Sequence, residues 1–244
     1  MKNYPKQTEI REYILSQYPN EAVGVICDGE FFPLNNIHVT PETHFKIDDS
    51  EYLKLSLKHK IDYLVHSHTY SPERKPIYES NPCTPSQLDY VNQKKSNVQW
   101  LIYATEGENV TLPVEFPQST DTELLGKEFI FYINDCFSLI RDYYHQKLGI
   151  ELPPHSETWT WEDGATTNCY EEFFKEWGFV KVPIQDLQLH DVLVMSVLGD
   201  CNHAGIFVED GYVMQHLIRR KSELMELHRI RSWVQFVVRY KKDA

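Results

Sequence analysis

At 244 residues, with 41% apolar and 13% aromatic side chains, the chain suits two cores of ordinary domain size. A net charge of −12, shared by both halves, argues against nucleic acid as a partner. The N-terminus has no apolar signal stretch and no run could span a bilayer, so no membrane insertion and a cytoplasmic origin are expected. The five cysteines, Cys27, Cys83, Cys136, Cys169 and Cys201, form no Cys-x-x-Cys pair, which fits reduced thiols.

In chain order, apolar spacing at Ile10, Tyr13, Ile14 and Tyr18 predicts a helix over 7–18. Strands are expected at 22–27 and 30–34 and a helix near 50–58. A short strand then ends in His66-Ser67-His68, where positions i and i+2 share a face, so both imidazoles can reach one metal ion. Ser86 opens the next helix, with Asp89 one turn in. His66, His68 and Asp89 make a three-ligand set that leaves a position for water, the pattern of a catalytic Zn2+ site. Glu21, just before the first strand, is the candidate general base. Strands near 98–104 and 110–114 complete a mixed α/β domain over 1–114. The polar stretch 115–125 reads as the linker to a second domain at 126–244.

In that second domain, Asp135 can cap a helix with apolar positions Cys136, Leu139, Ile140 and Tyr143. This puts a thiol at a helix N-terminus, where unpaired N–H groups and the macrodipole favour thiolate. Helical turns are expected near 169–177, and Leu187 to Met195 reads as a turn followed by a strand. His203 opens two short apolar runs joined by Asp210-Gly211, a β-hairpin with the imidazole on its first strand. A thiol on a helix end and an imidazole on a sheet are the parts a cysteine peptidase needs.

The segments Asp135-Cys136-Phe137-Ser138-Leu139, His190-Asp191-Val192-Leu193 and His203-Ala204-Gly205-Ile206-Phe207 resemble the NlpC-type cysteine peptidases, papain-like α+β enzymes that cut peptide bonds in bacterial cell-wall stem peptides. The resemblance implies Cys136 as nucleophile, His203 as base, and a third polar group twelve residues beyond the base. That group is Gln215 or its neighbour His216. Successive strand residues point to opposite faces, so only one can serve, and Gln215 is preferred. His190 stands where the family usually has glycine, which is expected to alter the turn and not the chemistry.

Glu21 with His66-Ser67-His68 and Ser86-x-x-Asp89 resembles the JAMM motif of MPN-domain metallopeptidases. That resemblance implies zinc-assisted hydrolysis of peptide or isopeptide bonds, with Ser86 steadying the tetrahedral intermediate. The departure is an insertion: seventeen residues, Thr69 to Pro85, separate His68 from Ser86. A proline-punctuated surface loop beside the site fits it best, able to act as a lid or docking surface; a drifted, empty site is the alternative.

An MPN-like domain followed by an NlpC-like one resembles the lambda-type phage tail-tip assembly family. The implied partners are peptidoglycan stem peptides and other tail-tip proteins, and the implied locations are the host cytoplasm during assembly and the virion tail tip. The main readings are a bifunctional peptidase or an assembly factor that retains peptidase folds, with a bacterial cell-wall hydrolase as a further alternative. The stretch from Arg219 to Lys242 carries eight Lys or Arg against Glu223 and Glu226. It is either a solvated face or a rim that attracts stem-peptide carboxylates or an acidic tail protein.

Overall fold

Asp28 and Gly29 both take positive φ, 52° and 81°, the condition for a tight hairpin turn between strands of matching twist. They join β1 (Val23–Cys27) to β2 (Glu30–Leu34) in antiparallel register. The computed structural model describes residues 4–70, 81–118, 122–153, 169–197 and 202–241, with backbone only at 169, 170 and 172. The chain divides into two compact units, Met1–Gln118 and Ser119–Ala244.

In the first unit, α1 (Gln7–Gln17) presents Ile10 and Ile14, one turn apart, to a core with Ile26, Val65, Leu101 and Tyr103. After α2 (Asp49–Ser56), capped by Asp48, comes β3 (Ile61–Thr69). α3 (Gln87–Ser96) then leads into β4 (Gln99–Thr105), which pairs parallel with β3. With β5 (Val114–Phe116) the sheet order is β2-β1-β3-β4-β5. The expected strand at 110–114 is displaced: Val110 makes only an isolated bridge to Thr105, and pairing resumes at Val114–Phe116. Glu115 and Phe116, read as linker, therefore belong to the sheet; Phe116 is buried opposite Trp100.

In the second unit, α4 (Cys136–Tyr143) continues into a π-helical turn, Tyr144–Leu148. α5 (Cys169–Glu176) follows, then six strands: β6 (Phe179–Val182), β7 (Val192–Met195), β8 (His203–Phe207), β9 (Tyr212–Gln215), β10 (Glu223–Glu226) and β11 (Val234–Tyr240). They form one antiparallel sheet in the order β10-β9-β8-β7-β11-β6. Alternation along the strands makes two cores. Val192, Val194, Ala204 and Ile206 pack with α4, while Leu193, Met195, Val213 and Val237 pack on the other side with Ile230.

The turn before β7 departs from the usual glycine. His190 sits at φ 76°, a left-handed conformation that disfavours a side chain. Tyr143 Oη lies 2.7 Å from its Nδ1, and Tyr144 donates to its carbonyl at 2.7 Å. Two tyrosines of α4 and its extension thus hold the turn. Asp191, next in line, is 1% exposed and accepts a two-pronged contact from Arg239, with both bonds 2.7 Å.

Candidate functional sites

The thiol centre is built from the start of α4. Asp135 Oδ1 accepts the Ser138 N–H at 2.8 Å and the Ser138 hydroxyl at 2.9 Å, and Oδ2 accepts the Tyr132 N–H at 2.9 Å. This cap leaves Cys136 as the first helical residue, with a reduced, buried thiol. α4 packs against β8, the strand that His203 opens.

His203 is buried, and its Nε2–H donates to Gln215 Oε1 at 3.1 Å. Gly205 faces Gln215 in the β8–β9 register, and a Cβ there would come within 2.7 Å of Val213 Cγ1. The bond to Gln215 fixes the tautomer and leaves Nδ1 for proton exchange. Burial pushes the imidazole down to about 4; the Gln215 bond opposes that and His216 adds to it. A neutral imidazole near pH 7 is the form a general base needs.

Of the two candidates for the orienting group, Gln215 makes the bond. His216 is also buried, but its ring meets the edge of Phe129 at 5.2 Å. Neither of its nitrogens is in hydrogen-bonding geometry, although the Lys127 and Arg220 backbones approach. The two side chains diverge because neighbouring strand residues leave the backbone on opposite sides.

In the first unit, strand alternation sends Val65 into the α1 core and turns His66 and His68 to the other face, where Phe45 lies 4.2 Å from the His66 ring. His66 Nε2 is 3.2 Å from Glu21 Oε2, and His66 Nδ1 is 3.7 Å from Asp89 Oδ1. His68 Nε2 is 3.2 Å from Asp89 Oδ2. Glu21, His66 and His68 offer ligand atoms that all lie within 4.8 Å of one another. The four expected residues therefore lie together, but the set that clusters is Glu21, His66 and His68, while Asp89, expected as the third ligand, bonds to His68 and stands 3.7 Å from His66.

Two imidazoles and a carboxylate are donor types that zinc takes. Bonds of about 2.05 Å place tetrahedral ligand atoms about 3.4 Å apart. His66 Nδ1 is a buried nitrogen without a hydrogen bond, facing a carboxylate at 3.7 Å, too far to be its acceptor. Burial lowers the His68 pKa, but Asp89, Glu21 and the Pro82 carbonyl outweigh it and raise it to about 9. The two histidines and Ser86 hold Asp89 well below the usual carboxylate range, against the effect of burial. Ser86 caps α3: its Oγ accepts the Asp89 N–H at 3.1 Å and donates to Asp89 Oδ2 at 2.8 Å. The cavity over these residues measures about 290 Å³ and is also lined by Phe45, Tyr70 and Leu88.

Several supporting residues were not expected. Ser67 Oγ accepts the Ala22 N–H at 2.8 Å, tying the strand after Glu21 to the one bearing the histidines. The Asn36 amide donates to the carbonyls of Glu21 and His44, both at 3.0 Å, and its Oδ1 accepts from His38 and Lys46. An asparagine after a strand signals a turn and nothing more. These roles have no local signal.

Residues 125–241 match the NlpC/P60 family model. Over 88% of this chain and 85% of its own length, the tail tip assembly protein K of Escherichia phage N15 is 27% identical. That of Escherichia phage lambda is 34% identical over 41% of this chain and 50% of its own length. A crystal structure of the NlpC/p60 domain of the peptidoglycan hydrolase SagA aligns with 15% identity and a TM-score of 0.32, covering 48% of this chain and 89% of that one. The C-terminal unit, with Cys136 at a helix start and His203 bonded to Gln215, is the part of this chain that matches the NlpC/P60 family model.

Proposed function

We propose that this chain is a phage tail-tip assembly protein whose C-terminal unit is a thiol endopeptidase for peptidoglycan stem peptides. The observation that carries the reading is the His203–Gln215 bond in a domain whose catalytic helix is capped by Asp135. His203 takes the Cys136 proton, and the thiolate attacks the scissile carbonyl. Backbone N–H groups at the start of α4 hold the oxyanion. As the C–N bond breaks, His203 returns the proton to the leaving amine. Water, deprotonated by the same imidazole, then cleaves the thioester. The bond cut is the one between D-glutamate and the diamino acid of the stem peptide.

The N-terminal unit is, in this reading, an MPN-like zinc peptidase or isopeptidase. His66, His68 and Asp89 would hold the metal. A zinc ion would activate water and polarise the carbonyl. Glu21 would serve as the general base and then the acid for the leaving amine, and Ser86 would steady the tetrahedral intermediate. The chain would work beside other tail-tip proteins, in the host cytoplasm during assembly and at the virion tail tip. Among the described residues no helix is long and apolar enough to cross a membrane.

Mass spectrometry of purified muropeptides incubated with wild type and with Cys136→Ser tests this. Cleavage by the wild type alone is expected. No cleavage by either folded protein would leave the second reading, an assembly factor with retained peptidase folds. That reading draws on the similarity to tail tip assembly protein K across 88% of the chain.

A further inference from the structure

His68 is the more open of the two clustered histidines, its side chain 16% exposed against 1% for His66, so packing alone does less to hold it. We propose that Asn81, which lies outside every motif, is the positioning residue that locks His68 for metal binding, through the Pro82 carbonyl. This rests on the zinc reading of the N-terminal unit.

His68 Nδ1–H donates to Pro82 O at 3.0 Å. A ring nitrogen used as a donor in this way leaves Nε2 as the ligating atom and fixes the ring plane. The position of that carbonyl is set by a turn. Asn81 Oδ1 accepts the Cys83 N–H at 2.9 Å, and Asn81 O accepts the Thr84 N–H at 3.0 Å, wrapping the chain around Pro82. An asparagine accepting two residues ahead is the side-chain imitation of a backbone turn, and proline restricts φ within it.

The turn is anchored in its turn to the strand beside His68. Cys83 is 1% exposed, and its sulfur lies 3.1 Å from Thr111 Oγ1. Thr111 Oγ1 accepts the Ala104 N–H at 2.9 Å, and Ala104 is the parallel-register partner of His68. The path from His68 through Pro82, Asn81, Cys83, Thr111 and Ala104 therefore closes on His68. The returning end of the insertion is part of the metal site's support and is more than a surface loop.

The test is zinc affinity of the full chain, measured by competition with a chromophoric chelator. Asn81→Ala should weaken zinc binding by about tenfold or more, the usual scale for losing an outer partner of a ligand. Asn81→Ser, whose hydroxyl accepts the same bond more weakly, should recover part of the loss. Thr111→Val, which leaves Asn81 intact and removes the hydroxyl beside the Cys83 sulfur, should shift affinity in the same direction. Metal-free unfolding temperatures within about 3 °C of wild type separate positioning from general destabilisation. Wild-type affinity in Asn81→Ala and Thr111→Val would overturn the inference while the zinc reading stood. A wild-type chain that binds no zinc, or binds it unchanged in His68→Ala, would overturn both.

Discussion

His203 Nε2 and Gln215 Oε1 stand 3.1 Å apart, twelve residues from each other along one hairpin, and their bond leaves Nδ1 as the other imidazole nitrogen. Replacing Gln215 with Leu should leave the fold intact and lower kcat by about a hundredfold, because the ring loses its tautomer and its aim. Gln215→His should restore part of the rate, since an imidazole nitrogen can also accept the His203 N–H. His216→Phe should change kcat little. Muropeptide cleavage rates decide between them, and a His216 variant as slow as Gln215→Leu would reverse the assignment.

Acid should destabilise the second unit through the same residue. The folded imidazole is pushed down to about 4 by burial, against about 6.5 in the unfolded chain, so the unfolded state binds the proton more tightly. Its stabilising contribution is complete above about pH 6.5 and is lost as pH falls toward 4, on the order of 3 kcal/mol at most. His216, also shifted down by burial, acts in the same direction. Urea unfolding at pH 7.5 and pH 4.5 should show a smaller acid loss in His203→Gln than in wild type. Equal losses would place the acid sensitivity elsewhere.

Arg239 and Asp191 join β11 to the turn before β7, and the carboxylate is almost fully buried. Arg239→Ala leaves that charge without its partner and should cost about 3 kcal/mol in chemical denaturation. Arg239→Lys keeps the charge but loses the planar fork, and should fall between. A loss below about 0.5 kcal/mol in Arg239→Ala would rank the pair with ordinary surface bridges.

Gly205→Ala should be costly for a different reason. Its methyl would meet Val213 Cγ1 at 2.7 Å and the Met214 carbonyl oxygen at 3.0 Å, so the β8–β9 pair must separate. A loss of about 2 kcal/mol is expected, with a lower kcat, because the same register sets Gln215 opposite this position. Thermal unfolding and muropeptide kinetics on one preparation check both effects.

Zinc at about a hundred times its dissociation constant should stabilise the first unit by about 2.7 kcal/mol. His66→Ala should abolish that gain, because it removes one of the two imidazoles from the cluster. Unfolding monitored with and without a chelator provides the measurement.

Local chemistry is what the chain order made legible. Asp135 before Cys136, Ser86 three residues before Asp89, and His66 two residues before His68 are relations within one helix turn or one strand. Backbone geometry converts such spacings directly into shared faces and caps. The hairpin around Asp210-Gly211 belongs to the same class, with φ 59° at Asp210 and 77° at Gly211. The end of the first sheet was less legible: after Val110 the strand signal was read one segment early, because cross-strand pairing and not propensity decides where β5 begins.

Contacts within a few residues are enough to place the elements of the first unit as far as β4, the thiol at a helix start and the spaced histidines. Assembly of the strands determines that Gln215 and not His216 reaches His203. It alone brought Glu21 to His66 across 45 positions, Pro82 to His68 across 14 and Arg239 to Asp191 across 48. Those meetings depend on sheet register and loop return, which no local pattern of residue types encodes.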